Sequence, residues 1–155
     1  MRKNEHLTLN DIHVGDWVQE YSRIAKRMSC PLVVKDIFAD GSLNLGFDNE
    51  RYSEFEPIES YDKDIYGIKI SKEILEGFGF VKVANEGCDR QLRYKGYSIL
   101  FGSPDKVLFY KNADENYIDT LKGAFIHELQ HSFYKQTGMP LKLDWKGVEH
   151  HEDKD

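Results

Sequence analysis

The chain has 155 residues, with 21 Lys+Arg against 27 Asp+Glu, a formal charge of −6 with neutral histidines. A surface that tracks a nucleic-acid backbone or an anionic bilayer needs clustered positive excess, so this balance disfavours both. Hydrophobic residues at 40% and aromatic residues at 13% exclude the disordered class, and the length suits one ordinary domain or two very small ones.

The N-terminal stretch Met1–His6 lacks the apolar core of a secretory signal, and nowhere do about 18 apolar residues run together. The expected location is therefore cytoplasmic, without a membrane partner. Cys30 and Cys88 are too few for a disulfide framework and too far apart for a CxxC motif, so they read as reduced thiols.

In chain order, the first sixty or so residues read as β. Leu7, Leu9, Ile12 and Val14 are apolar with polar neighbours, and Gly15-Asp16 signals a turn before Trp17-Val18. Leu32 to Phe38 is a strand, Asp40-Gly41 supplies the positive φ of a tight hairpin, and Leu43, Leu45 and Phe47 alternate on the returning strand. A meander of this kind is expected to close into a small SH3-like β-barrel over residues 1–59, because closure removes exposed edges.

Pro57 and the polar run Glu59 to Asp64 mark a boundary, and an α+β region over 60–140 follows. Ser71 is an N-cap for a short helix from Lys72 to about Glu76, with Ile70 and Leu75 as its hydrophobic staple. Strands are expected near Phe80–Val83, Gln91–Leu100 and Lys106–Tyr110, with Gly102 to Asp105 as a turn. The overall class is α+β: barrel, short helix, antiparallel sheet, then one long amphipathic helix. The spacing of Ile118, Leu121, Phe125, Leu129 and Phe133, between Asp114 and Gly138-Met139-Pro140, predicts that helix over 115–137. Residues 141–155 read as a polar C-terminal tail.

Inside the predicted helix stands His127-Glu128-Leu129-Gln130-His131, an HExxH string. Histidines four apart lie one above the other on a helix and can share a Zn²⁺, with Glu128 as general base on the metal-bound water. Glu149 lies downstream at a distance resembling the third ligand of gluzincins, and the absence of a Gly and third His just after His131 excludes a metzincin. Against a zinc peptidase, the helical phase puts His127 and His131 roughly 140–180° from the apolar stripe, a direction that predicts a solvated face.

The order of motifs resembles one group. It comprises Leu9 to Val18 in the form L-x-x-I-x-V-G-x-W-V, Phe55-Glu56-Pro57-Ile58, Ile70 to Phe80, and Ile126 to Gly138. The group consists of small uncharacterised proteins of Bacteroidetes genomes, prophages and related phages. Its members often carry a segment like HQLQN followed by one like LYFALTG where this chain has His127 to His131 and beyond. That form cannot hold zinc through this helix, so the resemblance implies a structural helix and no cofactor.

Tyr21, Arg23, Lys26 and Arg27 form a local basic and aromatic patch that could meet a partner. The acidic balance of the chain disfavours nucleic acid there. The expectation is a non-catalytic interaction protein of mobile-element or phage type with a protein partner. The alternative is a zinc-dependent metallopeptidase with His127, His131 and Glu149 as ligands and Glu128 as base.

Overall fold

The computed structural model describes residues 6–47, 57–82, 91–102, 106–111 and 116–146. The chain divides into two compact units, residues 1–69 with 125–130, and residues 70–124 with 131–155. The first unit runs through Lys69, and the start of the C-terminal helix returns to it.

The first unit is a half-barrel of short antiparallel strands: β1 (Trp17–Ser22), β2 (Arg27–Met28), β3 (Leu32–Ile37), β4 (Ser42–Gly46), β5 (Ile58–Tyr61) and β6 (Ile65–Tyr66). Their order is β2-β1-β3-β4-β5, with β6 also pairing β1. Alternation sets the core: Val18, Leu32, Val34, Leu43, Leu45 and Ile65 point inward and meet Leu7 and Ile12. The β3–β4 hairpin forms as its local chemistry demands. Gly41 takes φ +92°, Phe38 N–H donates to Ser42 O at 2.9 Å, and the Asp40 carboxylate accepts from both the Ser42 backbone N–H at 2.9 Å and its hydroxyl at 2.6 Å. Those bonds hold the Asp40 carboxyl below its ordinary range, the Ser42 hydroxyl contributing most.

The second unit opens with α1 (Lys72–Gly77), capped by Ser71, whose hydroxyl accepts from Ile74 N–H at 3.2 Å. A five-stranded antiparallel sheet follows in the order β11-β10-β9-β8-β7: β7 (Val81–Lys82), β8 (Gln91–Tyr94), β9 (Tyr97–Phe101), β10 (Val107–Lys111) and β11 (Asn116–Thr120). Residues 91–100 are thus two strands, folded back at Lys95-Gly96 so that Tyr94 pairs Tyr97. Lys95 takes φ +56°, which opens the tight turn.

The long helix over 115–137 is corrected most. Asn116–Thr120 is a strand paired to β10, with Phe109 opposite Asp119 and Tyr110 opposite Tyr117, and the helix, α2, spans only Ile126–Thr137. Tyr117, Ile118 and Thr120 favour a pleated surface, and a free partner edge on β10 outweighs an apolar spacing that suited either period. The predicted end is right: Gly138 takes φ +77° and its N–H closes on Tyr134 O at 2.7 Å.

The residues after Pro140 are only partly polar surface. Leu141 and Leu143 are buried, and Lys146 N–H bonds Gly77 O at 2.8 Å. The Trp145 ring meets Phe78 edge-on at 5.0 Å. Gly77 is required by that ring, since a Cβ there would overlap its Cζ3. Among the described residues no helix is long and apolar enough to cross a membrane.

Candidate functional site

The HExxH string sits at the very start of α2, where the chain changes direction. In the second unit, Ala124 takes φ +58°, the left-handed region that costs a β-carbon about 1–2 kcal/mol. Its N–H bonds Leu121 O at 3.2 Å and its carbonyl accepts from Ile70 at 2.7 Å. In the first unit, Phe125 bridges Lys69, and Ile126 N–H donates to Ile68 O at 2.9 Å. Phe125 O then accepts from Leu129 N–H at 3.2 Å, the first helical bond, which makes Phe125 the N-cap.

An aromatic N-cap has no side-chain acceptor for the first-turn N–H groups, and the contact made by Glu128 is a different one. Its Oε1 accepts from Phe125 N–H at 2.9 Å, the half of a capping box that runs from the third helical residue back to the cap. A carboxylate there also meets the positive end of the helix dipole. The residue that a zincin would use as base therefore holds its own helix terminus.

His127 is 5% exposed, which corrects the solvated face expected for it. The expectation took its phase from a helix beginning near residue 115, whereas Ile118 and Leu121 lie outside α2. The His127 ring stacks on Phe125 with centroids 5.5 Å apart and planes 18° from parallel. The Lys69 ammonium lies 5.3 Å from the Phe125 centroid. Gly67 leaves room for this ring, since a Cβ on it would lie 2.7 Å from Phe125 Cδ1. His131, one turn further along α2, is half-buried. Helix geometry sets the two histidines on one side of α2.

Gln130, which the structural reading of the helix expects to hydrogen-bond a loop or meet a partner, bonds a turn. Its Oε1 accepts from Trp17 N–H at 2.9 Å and its Nε2 donates to Gly15 O at 2.9 Å, so one amide reads both sides of the turn before β1. That turn is tightly made. Gly15 takes φ +99°, Gly15 N–H donates to Val34 O at 2.8 Å, and the Asp16 carboxylate accepts from His13 N–H at 2.7 Å. Asp16 is buried and His13 exposed. The only trace of this clamp in the sequence is a polar amide beside Leu129 on a helix.

The remaining sequence candidates are dispersed. Glu149, with His150 and His151, lies outside the described residues, as do Cys88, Phe55 and Glu56. Tyr21, Arg23, Lys26 and Arg27 come together on the hairpin between β1 and β2, where Tyr21 pairs Met28 and Ser22 pairs Arg27. Phe133, the last residue of the apolar spacing, is half-buried and meets Tyr97 edge-on at 4.9 Å within the second unit. Desolvation by its surroundings raises the Cys30 thiol above its ordinary range.

Compared with known proteins, the chain matches no family model, no curated protein and no solved structure.

Proposed function

We propose that the chain is a non-catalytic interaction protein of mobile-element or phage type, built on an SH3-like half-barrel, and that its HExxH string is a structural element. One observation carries this reading: Glu128 Oε1 is bonded to the N–H of its own helix cap. The neighbouring residues are used in the same way, His127 in a buried ring stack and Gln130 as a backbone clamp. The mobile-element assignment rests on the order of motifs in the sequence.

The test compares conservative and truncating variants of Glu128. A structural acceptor predicts that Glu128→Gln, which keeps a side-chain oxygen, changes stability by less than about 0.5 kcal/mol, while Glu128→Ala loses about 1 kcal/mol. A catalytic base predicts the opposite pattern: both variants fold alike, and both abolish hydrolysis of a casein substrate.

The zinc peptidase is retained as a second reading because His127 is buried and one helical turn from His131, an arrangement compatible with metal ligation. His127 and His131 would supply two ligands and the ion would supply Lewis-acid activation of water. The third ligand named for it, Glu149, falls outside the described residues.

A further inference from the structure

The hairpin joining β1 to β2 turns a solvent loop into a built feature. Ser22 caps it twice: its carbonyl accepts from Lys26 N–H at 2.7 Å, and its hydroxyl accepts from Ala25 N–H at 3.0 Å. Arg23 Nε is tied to Asp64 Oδ1 at 2.9 Å, which anchors the flank of the loop to the turn before β6. Lys26 holds φ +57°, a position where glycine or asparagine would sit without strain. At the tip Ile24 is 98% exposed. Lys26 and Arg27 stand exposed beside it, with no carboxylate partner among the described residues.

A fixed loop with an aliphatic tip and two adjacent cations, on a chain of net charge −6, is a local recognition element. We infer that this hairpin docks into a protein partner whose surface offers an apolar socket for Ile24, rimmed by carboxylates facing Lys26 and Arg27. The proposal rests on the interaction reading above and names its surface and the chemistry of its partner.

The charge arrangement selects among partners. A nucleic acid or an anionic bilayer presents an extended negative surface, which the acidic body of the chain repels and which only two uncommitted cations would meet. The tip also lacks an exposed aromatic platform on which a base could stack. A socketed protein surface contacts the tip alone, so Ile24 is buried and both cations are paired while the acidic remainder stays in solvent.

The experiment places a photo-crosslinking residue at the tip, Ile24→p-benzoylphenylalanine, in the full chain. The chain is irradiated in lysate of the cells that carry the gene, and a Val81→p-benzoylphenylalanine chain serves as the second position. The proposal expects a protein adduct from position 24 that forms equally in lysate cleared of membranes and treated with nuclease before irradiation, and that maps to an apolar site flanked by Asp or Glu. Unlabelled wild-type chain should compete it away, with Ile24→Ser and Lys26→Glu/Arg27→Glu chains at least tenfold weaker as competitors.

Several results would overturn it: an adduct that all competitors remove equally, one lost when nucleic acid or membranes are removed before irradiation, or one that maps to a surface without carboxylates. A specific protein adduct from position 81 alone overturns the hairpin assignment and leaves the interaction reading standing. Absence of any specific adduct from position 24 overturns the proposal, and casein hydrolysis that Glu128→Gln removes overturns the interaction reading as well.

Discussion

Replacing Gln130 by methionine keeps the length and most of the volume of the side chain and removes both polar ends. The Trp17 N–H and the Gly15 carbonyl, each bonded to the amide at 2.9 Å, lose that partner together. Trp17 is 2% exposed and Gln130 8% exposed, so water does not readily replace the amide at the Trp17 N–H, whereas Gly15 is exposed and its carbonyl can turn to solvent. A net hydrogen bond is worth about 1 kcal/mol, and an orphaned buried group costs about 1–3 kcal/mol. Gln130→Met should therefore destabilise the first unit by about 2–4 kcal/mol. The assay is native-state hydrogen exchange read at the Trp17 amide, with urea unfolding as the second measure. Loss of 2–4 kcal/mol corresponds to roughly 30- to 900-fold faster exchange where opening is in pre-equilibrium. A change at Trp17 under about threefold, with unfolding unaltered, would refute the reasoning that the amide holds this turn.

Three further outcomes follow from particular residues. Ala124→Gly relieves a left-handed backbone against a more flexible unfolded chain and the loss of a buried methyl, so stability in urea unfolding is expected to stay within about 0.5 kcal/mol of wild type. Gly67→Ala places a Cβ 2.7 Å from Phe125 Cδ1 and should cost about 1–3 kcal/mol, disturbing the ring stack with His127 as read by histidine and aromatic NMR shifts. The Asp40 carboxyl is depressed in the folded chain by its bonds to Ser42. Its contribution is therefore fully present above the ordinary carboxylate value of about 4 and is lost as pH falls through the depressed folded value. Its NMR titration midpoint should lie below that of an exposed aspartate, and should return to the ordinary range in Ser42→Ala.

What the sequence disclosed was local. Asp40-Gly41, Ser71 and Gly138 act through their own backbone or that of residues within a few positions, so their roles are legible wherever they stand. Asn116–Thr120 was not legible as a strand, because Ile118, Leu121 and Phe125 also fit helical spacing and only the β10 edge decides between them. The solvated face expected for His127 came from the same misplaced helix start, since the start of α2 fixes the direction each of its residues faces. The clamp by Gln130 joins residues 113 and 115 apart in sequence, a distance at which no pattern in one sequence speaks. The basic hairpin was readable as charge, but the full exposure of Ile24 between those charges needed the backbone.

The central claim is that the HExxH string builds a helix start and not a metal centre. Native mass spectrometry of the full chain, purified without a histidine tag and equilibrated with one equivalent of zinc, tests it most directly. The account predicts that the apo mass dominates and that His131→Ala leaves the spectrum unchanged. A species carrying one zinc per chain, abolished by His127→Ala and by His131→Ala in folded protein, would contradict it.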